Sequence, residues 1–269
     1  MEVHTPSKQD TVGRRFAYYI VRRPVFGVLI AFTAVMAVFS IIAPHFLSVP
    51  TLTGVASLVA ELGIITIGEA FLIISGEFDL SVSGVYALGG ELYVVVSNVS
   101  HSTIGLAVAI LLAVLVGTVN WAVTTKMGLP SFIATLGMMM ITRGILLAAT
   151  GGQSLAYRAD DVMPRLLSKV MYAGFRPSHI WFVLIMLIFS FILFKTRYGN
   201  AVFATGGDEE TARARGVNTS KVKLINFILC SVLASLSGCI AMSRFLFANV
   251  AFGKGYELEA IAAAVIGGT

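Results

Sequence analysis

The sequence carries little charge for its size. Only 12% of its 269 residues are charged and 57% are hydrophobic, whereas a soluble domain carries roughly 25% charged residues. This shortage excludes an ordinary soluble protein and indicates a polytopic membrane protein. The formal net charge of +5 is then best interpreted as an orientation signal, because basic residues of membrane proteins concentrate in the loops on one side. We expect no nucleic-acid partner.

Cysteine is also scarce. The two cysteines, Cys230 and Cys239, lie nine residues apart in one apolar segment, which places them on opposite sides of a helix. They cannot bridge each other, and we interpret both as small packing residues. The four histidines are scattered along the chain. The sequence therefore predicts neither a metal site nor a catalytic cluster.

Sequence motifs for common chemistries are missing. The chain has no GxxxxGK[ST] phosphate loop, and no HExxH, CxxC or GxSxG motif. Without a phosphate loop the chain has no P-loop of its own to hold ATP phosphates. We therefore expect a protein that is not an enzyme and that carries no cofactor.

Long hydrophobic runs, by contrast, fill most of the chain after a basic tail at 1–23. A run of about 20 apolar residues matches a hydrocarbon core of roughly 30 Å. The runs predict an all-α polytopic membrane domain over 24–269 with about eight transmembrane elements, at 24–43, 51–75, 84–96, 103–125, 131–150, 179–194, 224–247 and, as the start of an eighth, 256–269.

A polar island at 196–223 separates two of these runs. It contains the signature of a short capped helix: two glycines as a breaker, acids at the positive helix start, arginines at the negative end, and a glycine as the stop. The residues of this signature are Gly206, Gly207, Asp208, Glu209, Glu210, Arg213, Arg215 and Gly216. A short charged helix between two membrane spans indicates a contact point for a partner protein.

The distribution of basic residues predicts the orientation. With the N-terminus inside, twelve of the 19 lysines and arginines fall in the inner segments, five in the outer loops and two in spans. This asymmetry places the tail and the 196–223 island in the cytoplasm. The longest outer segment, 151–178, suits a short surface helix with turns on which a second protein docks, although a simple connector fits equally well.

Several polar residues interrupt the spans. Buried acids are costly in a membrane, so Glu61 and Glu69 are candidates for a solute pathway or for pairing across a helix interface. Their spacing of eight residues places both on one broad helix face, and Asn120 is a third candidate. We expect Arg143 and Arg244, which lie toward outer span ends, to extend to the membrane surface.

The stretch GEFDLSVS at 76–83 is a break in the apolar pattern. Either it is a re-entrant turn beside a water-filled cavity, or it is an ordinary tight loop in which Asp79 caps the next helix. In the first case Gly76, Asp79 and Ser81 line the solute pathway. The sequence leaves both alternatives open.

Three separated stretches resemble one family. GEFDLSVSGVYAL (76–88), PSFIATLGMMMITRGI (130–145) and ATGGDEETARARGVNTSKVK, followed by GYELEAIAAAVIGGT, are similar to the ribose-type permease subunits of bacterial ABC importers for simple sugars, in the same order and at similar spacing. Glu69 and the order FDLSVSG depart from the family pattern. Family members have around ten spans, so we expect this chain to be truncated at its C-terminus.

The resemblance implies the architecture and partners of an ABC importer. Two permease subunits, the same or related, would form the path in the bacterial inner membrane. Two ATPase domains of a cytoplasmic partner would bind ATP and Mg, and a periplasmic solute-binding protein would deliver the solute. The loop matching Gly206 to Gly216 would be the coupling helix that contacts the ATPase. A small sugar or polyol would then move inward by alternating access. The alternatives are a proton- or ion-coupled secondary transporter and an inactive structural membrane subunit.

Overall fold

The structure, a computed structural model, describes residues 24–269, so the predicted basic tail 1–23 lies outside the described residues. Six described helices are long and apolar enough to cross a membrane. The predicted all-α polytopic fold is confirmed. The predicted count of about eight is not confirmed, because the apolar stretch Phe26–Ile42 falls among the shorter apolar helices and Tyr256–Gly267 has only 12 residues.

The elements are joined by short connections. In chain order they are α1 (Pro24–Ile42), α2 (Val49–Ile74), α3 (Val82–Val99), α4 (Ser102–Trp121) with a π-helical turn (Ala122–Lys126), α5 (Ser131–Thr150), β1 (Leu155–Ala156), α6 (Val162–Ser168), a 3₁₀ turn (Tyr172–Gly174), α7 (Pro177–Lys195), α8 (Arg197–Gly207), α9 (Glu209–Ala214), α10 (Thr219–Phe245), β2 (Phe247–Ala248) and α11 (Tyr256–Gly267).

Local sequence signals account for where the long helices begin and end. Ser48 accepts a hydrogen bond from the Thr51 amide at the start of α2, and Asn218 does the same for Lys221 at the start of α10. Such side chains satisfy backbone amides that have no partner inside the helix. Gly151, with φ of 60°, ends α5 in the left-handed conformation, which glycine adopts readily.

Helix α10 lies at the centre and packs against α2, α3 and α4. Close approach of these helices depends on small residues. Gly238 of α10 faces the carbonyl of Tyr86 on α3, and Ser235 faces Gly89. On the neighbouring sides Gly68 of α2 contacts the backbone of Cys230, and Gly117 of α4 contacts that of Phe227. Cys230 and Cys239 are both buried and free.

The 76–81 turn leads directly into α3, which is a continuous helix of 18 residues. Its length and hydropathy suit a full membrane crossing. The structure therefore favours the ordinary-loop alternative over a re-entrant one. Asp79 accepts a hydrogen bond from the Ser81 amide at 2.7 Å. The N-cap residue of α3 is Ser81, without a side-chain capping bond, so the predicted cap by Asp79 was wrong.

The two ends of the helix bundle carry different additions. At one end α8 and α9 lie beside the C-terminus of α2 and the N-terminus of α10. At the other end the 151–178 segment contains α6, the 3₁₀ turn and β1, which pairs antiparallel with β2. This segment has the predicted surface helix with turns, here anchored by a small strand pair.

Arg143 does not extend to the membrane surface, so that prediction was wrong. Its Nη1 donates to the carbonyls of Val250 and Phe252 at 2.6 and 3.0 Å, and its Nη2 donates to the carbonyl of Ser83 at 3.1 Å. The guanidinium instead fastens the 248–255 turn to the start of α3. Nothing in the sequence indicated this role, because the acceptors are backbone carbonyls far from Arg143 along the chain.

The helix contact at Gly238 should tolerate no side chain. We expect Gly238→Ala to lower the stability of the protein by about 1 to 3 kcal/mol, because the added methyl group overlaps the backbone of Tyr86. Gly144→Ala is the matched control, since a methyl group there meets nothing within 4 Å. Thermal unfolding in detergent measures both. Equal melting temperatures for the two variants would contradict this packing.

Candidate functional site

The short helix α9 is built as the sequence predicted. Asp208 caps it: Oδ1 accepts from the Thr211 amide at 3.0 Å, and Oδ2 accepts from the Thr211 hydroxyl at 2.8 Å. These hydrogen bonds lower the pKa of Asp208 below its usual value. Gly216, with φ of 86°, lies just beyond the helix end. Glu210 and Arg215 are exposed, whereas Ala212 is buried and faces the bundle.

The preceding helix α8 was not predicted, because Gly206 and Gly207 were interpreted as a breaker. They form its last residues instead. Gly206 lies against the carbonyl of Ile74 at the end of α2, where a side chain would overlap the backbone. Glycine is therefore needed here because the two backbones lie in close contact. The sequence alone does not distinguish such a glycine from one that provides flexibility at a helix break.

Glu209 connects α9 to the start of α10. Its Oε1 accepts from Arg213 at 2.5 Å and from the Thr219 hydroxyl at 3.0 Å, and its Oε2 accepts from Lys223 at 2.9 Å. Partial burial raises the pKa of this carboxyl, but the hydrogen bonds from Lys223 and Thr219 outweigh burial and leave the pKa below its usual value. Glu209 is thus held as the carboxylate.

Lys223 extends this network to the 76–81 turn. Its ammonium also donates to Glu77 at 2.7 Å, so one cation bridges an acid of α9 and an acid between α2 and α3. The side chains of Lys223 and Glu77 are only 11% and 13% exposed, so solvent screens this pair less than a surface ion pair. The bridge links the short helix to the membrane-spanning helices.

Asn226 forms a second, uncharged link at the same end of the bundle. Its amide donates to the Phe71 carbonyl at 3.0 Å and to the Ser75 hydroxyl at 2.9 Å, and its oxygen accepts from Tyr198 of α8 at 2.6 Å. Asn226 is fully buried. Neither Asn226 nor Lys223 was singled out from the sequence, although a polar residue at this depth of an apolar run was a usable signal.

Four of the six predicted pathway residues meet in one buried cluster, adjacent to the turn that contains Gly76. The side-chain amide of Asn120 donates to Asp79 at 3.0 Å and to the Ser81 hydroxyl at 2.9 Å. Glu69 accepts from the Asp79 amide at 3.3 Å and lies beside Cys230. These side chains are buried, and the hydrogen bonds join α2, the turn and α4. Contact with a solute stays a prediction for all of them.

Glu61 lies apart from this cluster, about two turns toward the other end of α2, and pairs with Arg244. Nε and Nη2 of Arg244 donate to its two carboxylate oxygens at 2.6 and 3.0 Å. Glu61 is fully buried, and the Arg244 side chain is 12% exposed. The prediction that Arg244 extends to the surface was therefore wrong. The predicted common face for Glu61 and Glu69 agrees with the structure, since both carboxyl groups contact α10.

Glu91 of α3 is a buried acid that the sequence interpretation missed. It is 4% exposed, and neither carboxylate oxygen has a hydrogen-bond partner among the described residues. A single acid within the run 84–96 was the available signal. Its lack of a partner required the structure.

Comparison with known proteins identifies the family of this chain. A family model described as branched-chain amino acid transport system / permease component matches residues 51–269. The chain belongs to this permease family. The permease is therefore a multi-pass membrane protein and a transporter component rather than an enzyme.

Among curated proteins, the permease is similar to several importer subunits. It is 30% identical to the ribose import permease protein RbsC of Escherichia coli (strain K12) over 250 residues, covering 90% of this chain and 76% of the relative. It is 34% identical to the L-arabinose transport system permease protein AraH of the same strain over 245 residues, covering 90% and 74%. No solved structure matched.

The Glu61–Arg244 pair should matter for stability chiefly when it is broken on one side. We expect Arg244→Met to destabilise the permease by about 3 to 5 kcal/mol, because it leaves a buried carboxylate without its cation. The double variant Glu61→Leu/Arg244→Met should recover most of this loss, since no buried charge remains. Thermal unfolding in detergent provides the measurement. Additive losses in the double variant would show that the two side chains act independently.

Proposed function

We propose that this permease is the membrane-spanning subunit of an ATP-driven importer for a simple sugar or a similar small polyol. Its relatives are named for ribose and L-arabinose, which supports a solute of this class. The sequence has no phosphate loop. In this proposal ATP and Mg therefore bind to a separate cytoplasmic ATPase subunit, which supplies the energy.

The observation that carries the proposal is α9. It is a six-residue helix with a fixed cap, it lies outside the apolar spans, and it exposes Glu210 and Arg215 at its surface. Its buried side is tied to α10 through Glu209 and Lys223. A surface that is exposed on one side and anchored on the other suits transmission of force from a docked partner.

The same proposal implies the remaining partners. A second permease copy or a related chain completes the path, and a periplasmic solute-binding protein delivers the solute at the end that carries the 151–178 segment. The N-terminus and α9 then lie on the cytoplasmic side of the bacterial inner membrane, which the concentration of basic residues at 196–223 supports.

The proposed mechanism is a shift between two arrangements of the spans. ATP binding favours one arrangement of the ATPase pair, and α9 communicates that preference to the permease. Lys223 would act here as a positioning residue. Because it bridges Glu209 and Glu77, a displacement of α9 reaches the turn between α2 and α3, next to the Glu69, Asp79 and Asn120 cluster.

Removing α9 should uncouple the assembly. We expect deletion of Asp208 to Gly216 to abolish substrate-stimulated ATPase activity in the complete complex. Because a deletion perturbs folding, the sharper variant is Glu210→Lys/Arg215→Glu, which reverses two exposed charges. This variant should weaken co-purification of the ATPase at least tenfold, whereas Arg197→Glu, an exposed change outside α9, should not. Normal stimulation in both α9 variants would refute the proposal.

Substitution of Lys223 should distinguish substrate stimulation of the ATPase from binding of the ATPase. We expect Lys223→Met to retain ATPase binding but to lose most of the substrate stimulation, because Glu77 and Glu209 no longer share a cation. Lys223→Arg should preserve stimulation, since a guanidinium reaches both acids. Lys221→Met, an exposed change on the same helix, is the control. A Lys223→Met complex with unchanged stimulation would remove the positioning role.

A further inference from the structure

A cavity of about 450 Å³ opens at the end of the bundle opposite α9. It lies between the start of α2, the 3₁₀ turn and the end of α10. A second cavity, of about 610 Å³, lies next to it against α6. Both cavities are lined by Arg176 and Arg244. These volumes are in the range of small-molecule sites.

Arg244 is oriented so that part of its guanidinium faces this space. Glu61 holds its Nε and Nη2, and the ring of Phe245 lies 3.9 Å from its central carbon. These contacts fix the plane of the group. Nη1 donates to no side chain or carbonyl among the described residues, and it remains available for a ligand in the cavity.

Arg176 is held in a similar way from the other side. Its Nη1 donates to the Ser168 carbonyl at 2.5 Å, and its backbone amide donates to Nδ1 of His179 at 3.2 Å. Within 24–269, Nε and Nη2 have no protein acceptor. Burial, and then repulsion by Arg244, lowers the pKa of Arg176, while Glu61 opposes this effect. Two guanidinium groups are thus kept close together.

The carboxylates near the cavities are already engaged. Asp160 pairs with Arg165 at 2.7 Å. Asp161 accepts from the amides of Ser102 and Met163. Glu61 pairs with Arg244. The charged groups of the two cavities and their ion pairs are Arg165, Lys169, Arg176, Arg244, Glu61, Asp160 and Asp161. Four cations face three acids, so one positive charge is not compensated.

We propose that Arg176 and Arg244 form a binding site for the carboxylate of a small polyhydroxylated acid, that is, a sugar acid. Planar guanidinium groups with fixed orientation bind carboxylates through paired hydrogen bonds, and a concave site concentrates their field. A single uncompensated charge matches a monovalent carboxylate better than a phosphate dianion. The sugar part of this inference rests on the proposed function, and the carboxylate part rests on the two arginines.

Binding to the purified, full-length permease in nanodiscs of uncharged lipid tests the site. The probes are D-galacturonate and D-galactose, which share a ring and differ in a carboxylate. We expect galacturonate to bind at least tenfold more tightly by calorimetry, with an affinity that falls as salt rises. Arg176→Gln should reduce galacturonate affinity roughly tenfold, as expected for a lost charge-assisted hydrogen bond. Arg158→Gln, an exposed change on the same outer segment, should leave it unchanged.

Two results would overturn the inference. One is a binding result: the two probes bind with equal affinity, or Arg176→Gln binds galacturonate as tightly as the unchanged permease. The other is that galacturonate does not bind, but Arg176→Gln weakens association with the solute-binding protein. The arginines would then bind a carboxylate side chain of that protein. Neither result bears on the α9 experiments, because Arg176 lies at the opposite end of the bundle. Normal ATPase stimulation in the α9 variants together with intact galacturonate binding would refute the proposed function alone.

Discussion

The fold depends on the close approach of α10 to three other helices. In a membrane there is little hydrophobic force between helices, so association depends on close packing and on hydrogen bonds. Glycine and serine at the contacts allow backbones to meet, as at Gly238 against Tyr86 and at Gly117 against Phe227. The Ser237 hydroxyl adds a bond to the Glu61 carbonyl at 2.8 Å. This fixed centre positions the polar groups at both ends.

The polar groups of the spans are mostly committed to each other. Asn120 satisfies Asp79 and Ser81, Asn226 joins α2 to α8, and Arg244 neutralises Glu61. A charge in hydrocarbon is costly unless it is paired. Each such pair therefore also fixes the relative position of two helices. Glu91 departs from this pattern, since both of its carboxylate oxygens are buried without a partner among the described residues, as are the hydroxyls of Ser97 and Ser231.

Features that depend on local pattern were predictable from the sequence. Apolar runs located the spans, and the capping residues located α9. Long-range contacts were not predictable in this way. The partner of Arg244 lies 183 residues away, and the carbonyls that hold Arg143 lie more than 100 residues away or across another helix. Both arginines were expected to extend to the membrane surface, because each lies toward the end of its own helix. Gly206 was also misinterpreted. Glycine is favoured both where backbones pack closely and where a chain must be flexible, so the residue type alone did not indicate which applied.

Lys223 sits in the first turns of α10, so the ion bridge acts on one end of the helix that contacts the other three. Because α10 packs against three helices, a small displacement of its first turn would tilt or shift the whole helix together with its neighbours. The bundle therefore has no need of a flexible connection between the end that carries α9 and the opposite end. If α9 acts as proposed, substitutions that loosen the middle of α10 would uncouple the two ends of the bundle while leaving the structure of each end intact.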